Sequence, residues 1–167
     1  MNQRPPGFVR IIAGHLRGSK LPVPERPGLR PTSDRVRETL FNWLQPRLPG
    51  SLCLDLFCGS GALAIEALSR GAASATLVDL SPKVLREVRH NLERLGTNAA
   101  ELVSADALAW IETARERCYD VVFIDPPFST HVDYSDDPRC IGKLDAGGED
   151  RGDRYYEAMN RVISECA

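Results

Sequence analysis

The sequence predicts an α/β fold, a parallel sheet with crossover helices, preceded by an N-terminal hairpin and helix. Three observations carry this. Apolar strand-like runs alternate with helical segments from Ser51 to Asp125. The first run, "SLCLDLF", reads as a buried strand. Glycines stand where it would turn into its helix. Parallel neighbours need such crossovers, whereas hairpin turns would serve an antiparallel sheet.

The elements follow in order. "FVRIIAGHLRGSKLPVP" reads as two short extended segments around Gly14 and Gly18, a hairpin. "ERPGLRP" is a loop stiffened by Pro27 and Pro31. "TSDRVRETLFNWLQ" is a helix, with N-cap oxygens on Thr32, Ser33 and Asp34 and an apolar stripe at Val36, Leu40 and Leu44. "SLCLDLF" is a buried strand, and "GALAIEALSRG" a helix stopped by Gly71. "SATLVDL" is the second strand of the alternation. "SPKVLREVRHNLERLG" is a helix with Ser81 as N-cap, Pro82 at its first position, and Leu85, Val88, Leu92 and Leu95 on one face. "AELVSAD", "ALAWIETARER" and "YDVVFID" supply a third strand, a helix and a fourth strand. After Phe128 the alternation stops. The stretch to Asp153 is dense in Asp and Gly, a composition that favours disorder, and "RYYEAMNRVISECA" allows one short helix. The expected division is a basic extension over 1–47, a cofactor-binding α/β core over 48–128, and an atypical, partly disordered tail over 129–167.

Composition narrows the function. The chain of 167 residues is long enough for a buried core, and no apolar run reaches membrane-spanning length. Its N-terminus lacks the apolar segment of an export signal, and five cysteines without a CxxC pair argue against a disulfide framework or a zinc site. A cytoplasmic protein with reduced thiols and no metal is expected. The net charge of −2 hides a gradient. Met1 to Arg47 holds nine Lys/Arg against three Asp/Glu, Leu48 to Pro127 seven against eleven, and Phe128 to Ala167 five against nine. A basic arm on an acidic body suits a polyanionic partner approached from one side.

Two motifs carry chemistry. In "LDLFCGSGALAIEA", Gly59 and Gly61 permit a tight turn and a close backbone approach to a ligand. Asp79 ends the next strand twenty residues after Gly59, where a carboxylate can take both hydroxyls of a ribose. Asp106 follows the third strand at the same edge. An adenosine-containing cofactor fits these positions. "GSGALA" also matches the dinucleotide fingerprint, but Asp55 in the turn would repel a pyrophosphate and would suit the cationic methionine end of S-adenosylmethionine.

"VVFIDPPF" is the second motif. Pro126 and Pro127 fix the backbone and remove two N–H donors, so the turn offers only acceptors: the Asp125 carboxylate and backbone carbonyls. Such a turn suits the exocyclic amine of a nucleobase, with Phe128 stacking on the ring. The acceptors would hold the amine hydrogens and aim the nitrogen at the cofactor methyl.

"LDLFCGSGALAIEALSRGA", "VDL", "SAD" and "FIDPPF" resemble the Rossmann-like class I S-adenosylmethionine-dependent methyltransferases that modify exocyclic amines. "RIIAGHLRGSKLPVP" followed by "GLRPTSDRVRETLFNWL" resembles the bacterial RsmD family, which makes N2-methylguanine in 16S ribosomal RNA. The likeness runs from about Arg10 to Phe128. It implies that Asp55, Gly59 and Gly61 line the methionine and ribose region, that Asp79 binds the ribose hydroxyls, and that Asp106 lies near the adenine amine. It implies that Asp125 and the Pro126 carbonyl hold the guanine amine, with Phe128 stacking. Arg17, Arg30, Arg35 and Arg37 become candidates for the RNA backbone, although Arg35 and Arg37 could equally form the solvated face of their helix. The implied partner is the small ribosomal subunit, bound by a monomer. The family continues past "DPPF" with a helix, a fifth strand and a closing strand pair. The 39 residues of this chain after Phe128 lack that pattern, so part of the sheet is expected to be missing or altered. A DNA adenine-N6 methyltransferase, a non-catalytic S-adenosylmethionine- or RNA-binding remnant and a nicotinamide oxidoreductase are the alternative readings.

Overall fold

The computed structural model describes residues 7–23, 34–114 and 118–125. Strands β1 (Gly7–Arg10) and β2 (Lys20–Val23) form an antiparallel hairpin with Phe8 opposite Pro22 and Arg10 opposite Lys20. Helix α1 (Asp34–Leu44) follows and tightens into a 3₁₀ turn over Gln45–Arg47. Then come β3 (Leu52–Asp55), α2 (Ala62–Ser69), β4 (Ser74–Asp79), α3 (Pro82–Arg94), β5 (Ala100–Ser104), α4 (Ala107–Thr113) and β6 (Val121–Phe123).

The four later strands form one sheet in the order β5-β4-β3-β6, every pair parallel. The chain starts in the middle at β3, moves outward to β4 and β5, then returns to place β6 on the other side of β3. All four strands therefore end at one edge, and the reversal of order lies between β3 and β6. That is where an open α/β sheet leaves a crevice for ligands.

Each face of the sheet is covered. On one side Cys53, Ala75, Leu77 and Phe123 pack against α2 (Ile65, Leu68), α3 (Val84, Leu85, Val88, Leu92), the hairpin (Val9, Ile11, Leu21, Val23) and Phe41 of α1 in a single apolar cluster. On the other, Leu54, Leu56 and Val78 pack against Ala107 and Ile111 at α4. The hairpin and α1 thus share the core of the residues that follow them.

Local chemistry sets the helix ends. At the end of α2 the Gly71 amide donates to the Leu68 carbonyl and Ala72 to Ala67, the paired bonds of a glycine stop. Ser81 does precede α3 with Pro82 at its first position, but without a side-chain cap bond; its backbone amide instead donates to Asp79 Oδ1 at 2.8 Å. In α1 the expected stripe is corrected by one position. Val36 is 56% exposed, Leu40 and Leu44 are half-buried, and the innermost line is Arg37 and Phe41. Phe41 lies 5.7 Å from the ring of Phe123, and the Arg70 guanidinium sits over its face.

Arg37 turns inward to partners on the hairpin, at the start of α1 and on α2. Its Nη2 donates to the Arg10 carbonyl at 2.8 Å and to Asp34 Oδ1 at 2.6 Å, and its Nη1 is 3.9 Å from the buried carboxylate of Glu66 on α2. Glu66 accepts from the amides of Ile12 (2.7 Å) and Ala13 (3.0 Å) and from Arg70 Nε (2.8 Å). One helical turn on, Ser69 accepts from the Leu16 amide through its hydroxyl and from the His15 amide through its carbonyl. The end of the hairpin is therefore clasped to α2 by charge and hydrogen bonds as well as by apolar packing.

The tail over 129–167, the loop holding Arg30, and the expected caps Thr32 and Ser33 lie outside the described residues. Among the described residues no helix is long and apolar enough to cross a membrane.

Candidate active site at the carboxyl edge of the sheet

Four carboxyl-bearing residues stand at the carboxyl ends of four adjacent strands. In sheet order they are Asp106 just beyond β5, Asp79 ending β4, Asp55 ending β3, and Asp125 two residues beyond β6. The glycine turn bridges β3 to α2 along the same edge, with Gly59 and Gly61 both at positive φ. All the described residues expected to bind the cofactor therefore come to one place.

The two glycines have different tasks. A Cβ on Gly59 would meet nothing closer than 3.9 Å, so the backbone there is open to an approaching group. A Cβ on Gly61 would press on Val88, Leu77 and Ile65 at 3.2 to 3.4 Å. Gly61 lets α2 sit close against β4 and α3, a packing role.

Asp79 is held by backbone amides: Oδ2 accepts from Gly59 at 3.1 Å and Oδ1 from Ser81 at 2.8 Å. It fixes the glycine turn against the start of α3. A carboxylate has about four lone-pair sites, so two remain for other donors. Asp106 caps α4, its Oδ1 accepting from the Ala109 amide at 2.9 Å. Asp125 is exposed.

Asp55 is the outlier. It is buried, and neither carboxyl oxygen has a hydrogen bond of good geometry. Burial pushes its pKa up from 3.8 to about 7; the negative fields of Asp125 and Asp79 add to the rise, and the amides of Ala64 and Phe57 oppose it. A buried acid beside two others is a site that gains from a cation and is harmed by a further anion. This fits the positively charged end of S-adenosylmethionine, and it disfavours a dinucleotide pyrophosphate. Nearby Cys58 is also buried, and burial pushes its thiol well up, so it stands there uncharged. Among the described residues no group of three or more His, Cys, Asp or Glu could hold a metal ion.

Of the proposed RNA contacts, Arg17 at the hairpin turn and Arg35 on α1 are exposed. Arg37 is corrected. It is fully buried, its guanidinium bonded to Arg10 and Asp34 beside Glu66, and it has no surface to offer a phosphate. Arg30, Pro126 and Phe128 lie outside the described residues. A cavity of about 340 Å³ lined by Arg47, Pro49, Gly50, Ser51 and Asp120 opens at the opposite, amino edge of the strands, away from the aspartate row.

The family model described as conserved hypothetical protein 95 matches residues 9–145. The chain belongs to this family. Its curated relatives include ribosomal RNA small subunit methyltransferase D of Escherichia coli K12, 51% identical over 122 residues that make up 73% of this chain and 61% of that protein. The protein of the same name from Haemophilus influenzae is 49% identical over 125 residues, 73% of this chain and 65% of that one. The chain thus spans less than two thirds of the length of these two relatives. A solved Escherichia coli structure described as a candidate methyltransferase, yhhF, superposes with a TM-score of 0.66 at 46% identity, over 73% of this chain and 65% of the other. The RsmD resemblance is thereby established at the level of family and fold.

Proposed function

We propose that the chain transfers a methyl group from S-adenosylmethionine to the exocyclic N2 amine of a guanine in 16S ribosomal RNA. The observation that carries this is the buried, unpartnered carboxyl of Asp55, flanked at one sheet edge by Asp79 and Asp125. Family membership and the name of the curated relatives support the substrate class.

The residues divide the work by their chemistry. The open backbone at Gly59 admits the cofactor closely, and the remaining lone pairs of Asp79 accept its ribose hydroxyls. Asp106 has one carboxyl oxygen beyond its helix-capping bond for the adenine amine. Asp55, driven to its ionised form by a positive neighbour, would neutralise the charged methionine end. When bound, the cofactor supplies an electrophilic methyl on a sulfonium. Asp125 accepts a hydrogen from the guanine amine and favours the positive charge that grows on that nitrogen. By sequence, the Pro126 carbonyl and the Phe128 ring follow directly, for the second hydrogen and for stacking. Exposed Arg17 and Arg35, with Arg30, would meet the RNA backbone. The substrate implies a cytoplasmic site of action on the small ribosomal subunit.

The test is methyl transfer from labelled S-adenosylmethionine to small subunits lacking the modification, with DNA as the competing acceptor. Asp125→Ala is expected to lower kcat at least ~100-fold, in line with losing one positioned transition-state partner, while cofactor affinity stays near the parent value. Transfer to DNA alone, or a rate untouched by the substitution, would refute the assignment.

A further inference from the structure

The exposed side of α3 carries a pattern that the methyl-transfer site does not use. Val84, Leu85, Val88, Asn91 and Leu92 face the core. On the opposite side Lys83, Arg86, His90 and Arg94 recur at i, i+3, i+7 and i+11, all exposed. Positions so spaced share one helix face, here a line about 16 Å long at 1.5 Å per residue. Two acids of the same helix, Glu87 and Glu93, border the line. Lys83, Arg86, Arg89 and Arg94 outnumber these two acids, so the helix keeps a net positive charge. This cationic face belongs to a stretch, Leu48 to Pro127, that is acidic as a whole.

The line has two defined ends. It starts at Lys83, four residues after Asp79, beside the carboxyl edge of the sheet. It finishes at the hairpin, where Arg94 Nη2 donates to the Lys20 carbonyl. There the outer face of the hairpin continues it. Phe8, Arg10, Lys20 and Pro22 point outward while Val9, Leu21 and Val23 point into the core. Phe8 is 57% exposed, and the Lys20 amine lies 5.9 Å from its ring centre. A cation beside an exposed ring is how single-stranded nucleic acid is held, by phosphate charge and base stacking together. The hairpin and α3 pack into the same apolar cluster, so their outer faces lie on the same side of the sheet.

We propose that the outward face of α3, from Lys83 to Arg94, together with the outer face of the hairpin, forms one docking surface for the RNA substrate. Lys83, Arg86, Arg10 and Lys20 bind successive phosphates and Phe8 stacks on an unpaired base. This rests on the RNA reading above, and it sets the direction of the strand: from the carboxyl edge of the sheet, along α3, to the hairpin.

The experiment measures binding of the full chain to transcribed 16S ribosomal RNA across a salt series, with S-adenosylmethionine affinity and melting temperature as folding controls. Each lost phosphate contact flattens the slope of log K against log salt by about 0.7–0.9. The Lys20→Gln/Lys83→Gln/Arg86→Gln variant is expected to flatten it by about 2.1–2.7 and to raise KM for RNA with little change in kcat. Phe8→Ala is expected to weaken binding without altering the slope, and Lys83→Arg/Arg86→Lys to restore binding. A triple variant with the parent slope and KM, made from a parent that methylates RNA, overturns the surface and leaves the methyl-transfer reading standing. A parent that takes up S-adenosylmethionine and methylates no RNA overturns the reading beneath it.

Discussion

Replacing Glu66 by alanine should loosen the N-terminal hairpin from the sheet before anything else gives way. The carboxylate accepts from two backbone amides, Ile12 and Ala13, and from Arg70 Nε, and it lies 3.9 Å from Arg37 Nη1. Removing it takes a hydrogen-bond acceptor from Arg70 and from two part-buried amides, and a buried counter-charge from Arg37. Breaking a buried pair by deleting one partner costs about 3–5 kcal/mol. Both arginines keep other acceptors: Arg37 has Asp34 and the Arg10 carbonyl, and Arg70 has Gln45 Oε1 at 3.1 Å. The loss should therefore sit near the lower end, about 3 kcal/mol, which for a chain of this size is a fall of about 6–12 °C in melting temperature. Glu66→Gln keeps an acceptor oxygen but turns an amide N–H2 toward donors, and should lose an intermediate amount. Denaturant unfolding gives the magnitude, and hydrogen exchange at Ile12 and Ala13 gives the location. A Glu66→Ala protein within about 1 kcal/mol of the parent, with those two amides still protected, would refute the claim that this carboxylate ties the hairpin down.

Three further outcomes are expected. With a folded pKa of about 7 against 3.8 unfolded, Asp55 binds its proton more tightly in the native state, so stability falls as pH rises from about 4 to about 7 and is level above. Asp55→Asn should match the parent near pH 4 and exceed it at pH 8 by up to ~4 kcal/mol, read from denaturant midpoints; the opposite trend would show the acid to be stabilised when charged. Gly14→Ala places a Cβ 1.8 Å from the Ser69 carbonyl oxygen at φ +80°, while Gly18→Ala has φ +86° and open space. Both carry the left-handed strain of about 1–2 kcal/mol, and Gly14→Ala should cost at least ~1 kcal/mol more by calorimetry. Gly61→Ala, crowded by Val88, Leu77 and Ile65, should lower stability, whereas Gly59→Ala should chiefly weaken S-adenosylmethionine binding, read by titration against each variant.

What the sequence made legible followed from local period and spacing. The parallel alternation could be read because β3, β4 and β6 are short apolar runs and α3 alternates faces cleanly around Val88 and Leu92. The twenty-residue interval from Gly59 to Asp79 put both at one sheet edge, but it could not say that they would bond each other, with Asp79 bracing the glycine turn. Arg37 was misplaced because an arginine on a helix is expected outside. Inside it meets the charge of Glu66 at 3.9 Å, twenty-nine positions away and unreachable by any local pattern. The signal that could have found it was a lone acid inside "ALAIEAL", where every neighbour from Ala64 to Leu68 is buried, with Arg70 four residues on. A charge in the middle of a buried helix needs a partner, and the basic N-terminal segment was the obvious supplier. The strand order, and the meeting of α3 with the hairpin through Arg94 and Lys20, depend on how the crossovers fold back and have no counterpart in the linear pattern.

The placement of acids along one edge has a consequence that no single residue shows. Parallel strands deliver their carboxyl ends together, so a chain that ends β3 and β4 on aspartate, and follows β5 and β6 with one, concentrates negative charge where the sheet is open. Left alone, such an edge raises the pKa of its most buried member, and Asp55, at about 7, is that member. A ligand bringing positive charge would shift Asp55 toward its ionised form, expelling a proton and converting a desolvation penalty into an ion pair. A ligand bringing negative charge would gain nothing from it. On the proposed reading, the edge that takes a sulfonium and an amine would repel the phosphates of RNA, so an RNA substrate would need its cations elsewhere. Lys83 and Arg86 on α3 and Arg10 and Lys20 on the hairpin stand outside the aspartate row, where they can hold the backbone while a base reaches across to Asp125.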